Sequence, residues 1–536
     1  MMRVRLAAVL TTLAVLPAAG CSAGGSPERV ADTTTPPPSG SPVPTDSLPD
    51  SLTAQKLEWS ECKTPDSSQG DSGGSPSPLP DGAPWECATM KAPVNYADPE
   101  GDTLDLALIR ARSTGGEGER IGSLLFNFGG PGGSGVVTLP AFGSDYTELA
   151  KRYDLVSFDP RGVGDSDGLV CMSDKQLDDY FAADPVPSGE AEERDFTNRL
   201  RAFDNACEAA AGPLLPHLTT VNTARDMDLM RQVLGDNKLH YFGISYGTQL
   251  GGVYAHLFPQ RVGRAALDAV VDPTADAREG ALAQTKGFQQ ALTTYMESCA
   301  QSENCPLGSS PQEGEQKLKD FLENLRSHPL PTQDPDGRPL TESLAWSGIA
   351  QSLYSEDFWP FLTQGLEEAM ASENPDGTIL LTLGDSMNGR NQNGTYSTLQ
   401  SSLVAINCAD TDQRYDVADV HDALPEFTDA SPVFGPGMAW SLFSCTDWPV
   451  TGTQSHPDVS TTTDATLLLI GTTGDPATPY AGTQNMKEAL GKDKAVELTY
   501  EGEGHGAYNS GDTCVKDTVN AYLLDGEVPT DGKTCP

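Results

Sequence analysis

The chain has 536 residues, of which 37% are hydrophobic, so it is long enough to bury a sizeable core and to hold two or three units of ordinary domain size. Asp and Glu number 76 against 34 Lys and Arg, which gives a formal net charge of −42. A surface this negative repels nucleic-acid phosphates and anionic lipid headgroups, which excludes both as partners and favours solubility outside the cell.

The first 20 residues have the pattern of a signal peptide. Arg3 and Arg5 form a short positive region, residues 6–16 are apolar, and residues 17–20 are small. The apolar stretch is too short to span a bilayer, and no later stretch approaches the roughly 18 apolar residues that a span needs. We therefore expect residues 1–20 to direct export and to be removed.

Cys21 follows at once, and this arrangement resembles the lipobox of bacterial lipoproteins, in which such a Cys becomes the lipidated first residue of the mature chain. The lipobox prefers Leu three residues before the Cys, where this chain has Ala18, so ordinary secretory cleavage near this point is the alternative. Residues 21–55 are rich in Ser, Thr, Pro and Gly and predict an extended tether. The protein would then be secreted, or held on the outer face of a bacterial membrane with a lipid as its only membrane contact.

Ten cysteines remain when Cys21 is set aside, an even number that is typical of exported proteins with disulfides. Sequence alone does not determine their connectivity. No CxxC pair and no Cys/His cluster has the spacing of zinc ligands, so we expect neither a metal nor a cofactor. Pairing of near neighbours suggests Cys62–Cys87, Cys171–Cys207, Cys299–Cys305, Cys408–Cys445 and Cys514–Cys535.

Short apolar runs alternate with glycine-rich loops and helical patterns after residue 88. Runs of this length between helices imply a mainly parallel sheet that is covered on both faces. Residues 273–464 lose the strand pattern and become mainly helical, so we predict one α/β core (residues 56–272 and 465–536) interrupted by a helical lid or cap. The predicted strands lie at 104–109, 123–128, 154–158, 239–242, 265–271, 467–470 and 495–498, and the clearest helices at 223–234, 246–257 and 515–523.

The pattern G-x-S-x-G, which surrounds the nucleophile of many serine hydrolases, occurs three times. The copy at Ser72 matches the motif of trypsin-like proteases, but it lies in a low-complexity segment and no His precedes it. The copy at Ser166 lies in a Gly/Asp-rich loop with no helix after it, and we interpret it as a turn. At Ser245, by contrast, a strand ends at Phe242 and a helix begins at Tyr246, which is the strand–turn–helix setting of a nucleophile elbow.

The glycines around Ser245 have a physical reason. In so tight a turn, side chains at positions 243 and 247 would clash with neighbouring backbone, and Gly removes them. The Ser would sit strained at a helix N-terminus, where the partial positive charge favours a developing anion. A purely structural glycine-rich turn is the alternative.

An oxyanion hole needs two N–H donors that point to where negative charge develops. The N–H of Tyr246, directly after the Ser, is the expected first donor. The second should come from the loop 128–133, in which Pro131 has no N–H, so Gly129 or Gly130 must donate and we favour Gly130. A phosphate-binding loop is the rival interpretation, but the Gly-Lys-Ser/Thr ending of such loops is missing.

The base and its acid should follow the nucleophile in the order Ser, acid, His. His505 lies in a glycine-flanked loop between the strand at 495–498 and the last predicted helix. Asp475 follows the strand at 467–470, where a carboxylate can accept the Nδ1 proton and set the tautomer. Its alternative role is an N-cap or Asx turn.

In their joint order, these motifs resemble the actinobacterial tripeptidyl aminopeptidases, the exported branch of the prolyl-aminopeptidase-like serine peptidases. The resemblance extends from about residue 59 to the C-terminus and implies an α/β-hydrolase fold with a large helical cap. It also implies an exopeptidase that releases short peptides, such as tripeptides, from a free amino terminus. The motifs that carry it are GGPGGSG at 129–135, FDPRGVGDS at 158–166, GISYG at 243–247, GDPATP at 474–479 and GHG at 504–506.

The resemblance assigns further roles. Arg161 would brace the loops around the site. Phe128 stands where related prolyl aminopeptidases carry His, which leaves the backbone donors intact but argues against strict proline specificity. An aminopeptidase must also hold the substrate's ammonium group, and the candidate carboxylates are Asp272, Asp410 and Asp447, with Asp410 in a segment that recurs in the family.

Two other functions stay open at the level of sequence. A carboxylesterase or lipase could use the same triad, because fold does not determine substrate. A lipid-tethered protein could also keep the fold and bind peptides without catalysis. The oligomeric state is not indicated by the sequence.

Overall fold

Ten β-strands form one sheet in the computed structural model, which describes residues 48–65, 69–70, 75–116, 118–302 and 305–536. The strands are β1 (Ser60–Glu61), β2 (Trp85–Pro93), β3 (Thr103–Ala111), β4 (Gly122–Asn127), β5 (Tyr153–Phe158), β6 (Leu239–Ile244), β7 (Val262–Asp268), β8 (Leu467–Gly474), β9 (Ala495–Glu503) and β10 (Lys533–Cys535). Their order across the sheet is β1-β2-β3-β5-β4-β6-β7-β8-β9-β10. The first three neighbouring pairs are antiparallel and all the others are parallel, so the prediction of a mainly parallel sheet is confirmed.

The α-helices of the described residues are α1 (Asp50–Thr53), α2 (Gly135–Ala141), α3 (Thr147–Ala150), α4 (Asp174–Ala182), α5 (Glu190–Ala211), α6 (Thr220–Val233), α7 (Tyr246–Leu257), α8 (Ala277–Cys299), α9 (Pro311–Ser327), α10 (Glu342–Ser352), α11 (Trp359–Ala369), α12 (Thr378–Asn388), α13 (Leu399–Asp410), α14 (Val417–Ala430), α15 (Gly435–Ser441), α16 (Ala481–Leu490) and α17 (Thr513–Asp525). All seven predicted strands and the three predicted helices correspond to elements of the structure. Sequence reasoning missed β1, β2 and β10, which extend the sheet at its two edges.

Both faces of the sheet are covered, as the continuous apolar runs require. All six residues of β4 are buried. Two adjacent residues of this strand, Leu124 and Leu125, belong to hydrophobic clusters on opposite faces of the sheet. The same alternation holds for Leu155 and Val156 in β5. Since successive side chains of a strand point to opposite faces, a central strand between two helical layers must be apolar throughout.

Eight helices, α8 to α15, lie between β7 and β8, within the cap predicted at residues 273–464. Seven of them contribute to one hydrophobic cluster, which includes Leu292, Leu318, Ile349, Leu380 and Phe427, whereas buried side chains of α13 belong to a cluster of the core. A segment that buries its own apolar side chains can form a separate layer over the sheet edge. The domain limits at 273 and 464 themselves stay predictions.

The last residues of the predicted tether are part of the fold. Leu48 and Leu52, which were assigned to the tether of residues 21–55, are buried against the core, and the side chain of Gln55 donates to the carbonyl of Lys91 at 2.8 Å. Leu48 and Leu52 are apolar side chains that a core can bury, which explains why these positions depart from the predicted tether. The predicted signal peptide, Cys21, Ser72 and residues 22–47 of the tether lie outside the described residues.

Five disulfides join cysteines of the described residues, and all five predicted pairings are confirmed. They are Cys62–Cys87, Cys171–Cys207, Cys299–Cys305, Cys408–Cys445 and Cys514–Cys535. Within the same residues, no helix has the length and apolar character that crossing a membrane requires.

Arg161 joins the loop after β5 to α6, to the end of β2 and to the segment before α6. Its side chain is fully buried and forms a two-point ion pair with Asp226 of α6, at 2.6 and 2.8 Å. The same guanidinium donates to the carbonyls of Val94 and His217, at 3.0 and 3.2 Å. A buried charge is tolerated only when it is paired and hydrogen-bonded in this way.

We expect Arg161→Met to lower the free energy of unfolding by about 3–5 kcal/mol, because it leaves the Asp226 carboxylate buried without its counter-charge. Urea unfolding followed by circular dichroism measures the change. The matched control is Lys91→Met, since Lys91 pairs with Asp105 at 2.8 Å but both side chains are more than half exposed. That variant should change stability by less than about 1 kcal/mol, and equal losses in the two variants would contradict the bracing role.

Candidate active site

Ser245 occupies a sharp turn between β6 and α7. Its backbone has φ 59° and ψ −127°, a conformation that non-glycine residues rarely adopt and that is retained where the surroundings enforce it. The Ser245 N–H donates to the carbonyl of Asp268 at 3.0 Å, and the Ser245 carbonyl accepts from the hydroxyl of Thr248 at 2.7 Å. The turn therefore presents a half-buried hydroxyl at the N-terminus of α7.

The flanking glycines are required by close backbone contacts. A Cβ on Gly243 would lie 2.3 Å from the carbonyl oxygen of Gly247, and a Cβ on Gly247 would lie 2.5 Å from the carbonyl oxygen of Asn127. No side chain fits at such distances. These contacts agree with the physical reason that the sequence pattern suggested for an elbow.

Asp475 and His505 are in direct contact. The Nδ1 atom of His505 lies 2.9 Å and 3.0 Å from the two carboxylate oxygens of Asp475, which is 3% exposed. The carboxylate also accepts the N–H groups of Ala477 and Thr478, both at 2.9 Å, so Asp475 forms an Asx turn as well. The Asx turn, considered above as an alternative, thus holds the carboxylate in position for the imidazole.

Charge and burial act in opposite directions on His505. Burial favours the neutral ring, but the adjacent Asp475, through its charge and hydrogen bond, and the more distant Asp268 together raise the pKa of His505 above its usual value. An ionised Asp475 can only accept, so it fixes the proton on Nδ1 and leaves Nε2 as the basic nitrogen.

The hydroxyl of Ser245 makes no hydrogen bond within the part of the chain that the structure describes. In free enzymes the contact between nucleophile and base is often long and tightens only when substrate is bound. The structure thus joins the acid and the base directly at the ends of β8 and β9. The Ser245 turn follows β6, which β7 separates from β8 in the sheet.

The glycine loop after β4 lies against the Ser245 turn. A Cβ on Gly129 would lie 2.8 Å from the Cβ of Ser245 and 3.1 Å from the amide nitrogen of Tyr246. The N–H of Gly129 already donates to the side chain of Asn127 at 3.1 Å. The N–H groups of Gly130 and Tyr246 have no acceptor among the described residues, and their role as oxyanion donors stays a prediction.

Three residues that sequence reasoning missed surround the His505–Asp475 pair. Thr478 donates its hydroxyl to Asp475 at 2.9 Å, and Asp268 lies buried behind the His505 loop. From the cap, the carbonyl of Tyr354 accepts the His505 N–H at 2.8 Å, and its ring meets the imidazole edge to face with centroids 5.2 Å apart. Thr478 lies within the quoted GDPATP motif and Asp268 lies within the predicted strand at 265–271, which were usable signals, whereas Tyr354 had none.

The three predicted substrate carboxylates have different surroundings. Asp410 accepts the N–H and the hydroxyl of Thr220, at 2.9 and 2.6 Å, and that hydroxyl lies 2.6 Å from the phenol oxygen of Tyr246. Burial raises the pKa of Asp410 to about 6. Asp272 binds Asn485 and Thr274, and Asp447 pairs with an arginine of α5 at 3.0 Å. Only Asp410 is thus linked to the Ser245 turn.

Ser166 has the structural role that was predicted for it. It is fully buried, donates its hydroxyl to the carbonyl of Asp159 at 2.6 Å, and accepts the N–H of Ala107 at 2.9 Å. A hydroxyl held in this way is not available as a nucleophile.

Comparison with known proteins connects this site to a family. Residues 431–535 match the family model described as TAP-like protein. The serine protease Hip1 of Mycobacterium tuberculosis is 35% identical over 494 residues, which cover 90% of this chain and 91% of that protein. The chain belongs to the TAP-like serine peptidases of the α/β-hydrolase superfamily. It is therefore a serine hydrolase.

Two further TAP-like relatives carry different names. The tripeptidyl aminopeptidase of Streptomyces lividans is 32% identical over 474 residues, which cover 84% of each chain. The protein named carboxylesterase B of Mycobacterium tuberculosis is 32% identical over 458 residues, covering 84% of this chain and 86% of that protein. The percentage identity of this TAP-like chain to both is the same, so the kind of bond that it cleaves must be argued from chemistry.

Proposed function

We propose that this protein is an exported serine exopeptidase that releases short peptides, tripeptides in particular, from free amino termini. The observation that carries the proposal is the contact of the His505 imidazole with Asp475 at the strand ends beside the strained Ser245 turn. The order Ser, Asp, His along the chain is the order of α/β-hydrolase triads. The name of the Streptomyces relative supports the substrate class.

The reaction would run in two halves. Ser245 Oγ attacks the scissile carbonyl while His505 Nε2 takes its proton, and the oxyanion forms opposite the N–H groups of Gly130 and Tyr246. His505 then gives that proton to the departing amine as the C–N bond breaks, which leaves an ester between Ser245 and the released peptide. Water, deprotonated by His505, cleaves the ester and restores the serine.

The pH profile should show the raised pKa of His505. The base must be neutral to accept the Ser245 proton, so kcat/KM falls as pH drops through that pKa. Because Asp475 and Asp268 raise the pKa, we expect the midpoint of the acid limb to lie above about 6.5, the ordinary value for His. Steady-state rates across the neutral range measure it, and a midpoint below the ordinary value would contradict the assigned electrostatics.

Substrate class is tested by matched compounds. A tripeptide p-nitroanilide with a free amino terminus should be cleaved much faster than the same compound with an acetylated terminus, because only the first offers an ammonium group to the site. The alternative favoured by the carboxylesterase B similarity predicts turnover of p-nitrophenyl esters and of neither anilide. Peptide binding without any turnover would favour a non-catalytic binding protein.

Asp410 is the carboxylate that we propose for holding the ammonium group, because it is linked through Thr220 to the residue after the nucleophile. In Asp410→Asn both contacts with Thr220 can persist, yet the charge is lost. We expect KM for the free tripeptide anilide to rise about 10- to 100-fold, the value of a hydrogen bond to a charged group. KM for a neutral ester should not change. The control is Asp447→Asn, because Asp447 pairs with Arg201. In this control, KM for the anilide and KM for the ester should both stay at their wild-type values.

Export is proposed from the signal peptide pattern of residues 1–20, with Cys21 as the lipidated residue. The five disulfides of the described residues support an oxidising destination. Expression with a radiolabelled fatty acid tests the anchor: label and membrane association should both disappear in Cys21→Ser. A wild-type protein that is exported without label would support ordinary secretory cleavage.

A further inference from the structure

Asp268, the last residue of β7, binds the loop that carries His505. Its carboxylate accepts the N–H of Ala507 at 3.0 Å and the N–H of Tyr508 at 2.8 Å, with one oxygen for each. These donors follow His505 by two and three residues, and the Asp268 side chain is fully buried. Asp268 therefore holds the His505 loop through its backbone, whereas Asp475 holds the imidazole.

The same residue also holds the nucleophile. Its carbonyl accepts the N–H of Ser245 at 3.0 Å, and it pairs with Ile244 in the register of β6 and β7. The two turns that must approach each other for proton transfer are thus bonded to one residue. Small displacements of reacting groups have large kinetic effects, so such a link can determine how precisely hydroxyl and imidazole meet.

A side-chain amide has one oxygen and one NH2 group, so at this position it would accept from only one of the two N–H groups, whereas a carboxylate accepts from both. The titratable side chains that face Asp268 are those of Asp475, His505 and Tyr146. Burial, with a contribution from Asp475, raises the pKa of Asp268 to about 6, which leaves it ionised above neutral pH. Its charge then acts on His505 in the same direction as that of Asp475.

We propose that Asp268 is a second positioning carboxylate of the active site, which aligns the His505 loop with the Ser245 turn and stabilises the imidazolium that forms when His505 takes the serine proton. The inference rests on the proposed function of Ser245 and His505. It requires no contact between Asp268 and the substrate.

The test compares Asp268→Asn with the wild type on whichever substrate the wild type hydrolyses, with rates per active site titrated by a fluorophosphonate. We expect kcat/KM to fall roughly 100-fold through misalignment, mainly in kcat, and the acid limb to move to lower pH because a negative charge near His505 is lost. The matched control is Asp236→Asn, since Asp236 accepts the N–H of Ser123 at 3.1 Å at the opposite end of β4. It should change neither quantity.

A second variant covers the case in which Asp268→Asn does not fold. Ala507→Pro removes one of the two N–H donors and keeps the carboxylate, and the native φ of Ala507, −75°, suits proline. It should lose about tenfold in kcat per titrated site, a smaller effect than a full misalignment, with the acid limb unmoved.

Two results together would overturn the proposal. One is a rate per titrated site within twofold of the wild type in either folded variant, and the other is an acid limb of the pH profile that does not move in Asp268→Asn. Failure of the underlying function gives a different result: the wild type would not react with the fluorophosphonate, and Ser245→Ala would retain activity.

Discussion

Ser245→Ala is expected to lower kcat by about a millionfold, the loss seen when the nucleophile of a serine hydrolase is removed. Without Oγ no acyl-enzyme can form, and only the oxyanion donors and substrate binding remain. The fold should persist, because the hydroxyl makes no hydrogen bond to the described residues and the Cβ is kept. Rates on the best substrate, fluorophosphonate labelling and a thermal melt together measure the effect.

Ser72→Ala is the control for this variant, since Ser72 lies in another G-x-S-x-G pattern of the same chain. Its activity and labelling should equal those of the wild type. Ser245→Ala protein that keeps more than a trace of activity, or that is still labelled, would remove Ser245 from the mechanism.

Asp475→Asn is expected to lower kcat by about 10,000-fold near neutral pH. The Asn oxygen can still accept the N–H groups of Ala477 and Thr478, so the Asx turn is kept. The amide nitrogen would then donate to Nδ1 of His505 and force the proton onto Nε2, where it blocks the base. Single-turnover rates separate this chemical defect from weaker binding.

The control is Asp458→Asn on the surface. Asp458 also forms an Asx turn, with the N–H and hydroxyl of Ser460, and also lies beside a histidine, His256, at 3.4 Å. This variant should have wild-type kinetics. If Asp475→Asn lost less than about tenfold, another carboxylate would have to orient His505, and Asp268 would be the candidate.

The proposed catalytic residues each lie in a local sequence pattern. Ser245 lies where a strand period changes to a helix period, and Asp475 and His505 follow apolar runs that could only be buried strands. Parallel strands place their carboxyl ends at the same edge of a sheet, so three strand ends predict one site without knowledge of any contact. The disulfide pairs were suggested by a local rule as well, namely that each cysteine pairs with a near neighbour in the sequence.

The edge strands and the support of the site could not be predicted in this way. Strand β1 has two residues and β10 has three, too few to show alternation. Tyr354 contacts His505 from a cap helix end that is 151 positions away along the chain, and no period or motif marks its carbonyl as an acceptor. Asp268 binds backbone N–H groups of the Ser245 turn and of the loop that carries His505. These contacts depend on how the two segments pack at the end of β7.

The sequence by itself thus determined the order of the central strands, the mainly parallel sheet and the residues proposed for chemistry, because apolar periodicity and glycine-bounded turns are properties of neighbouring residues. Only the tertiary structure decided which groups hold His505 in place. Those contacts join β7, β8 and the cap, and hydrogen bonds between distant segments depend on packing that no local pattern encodes.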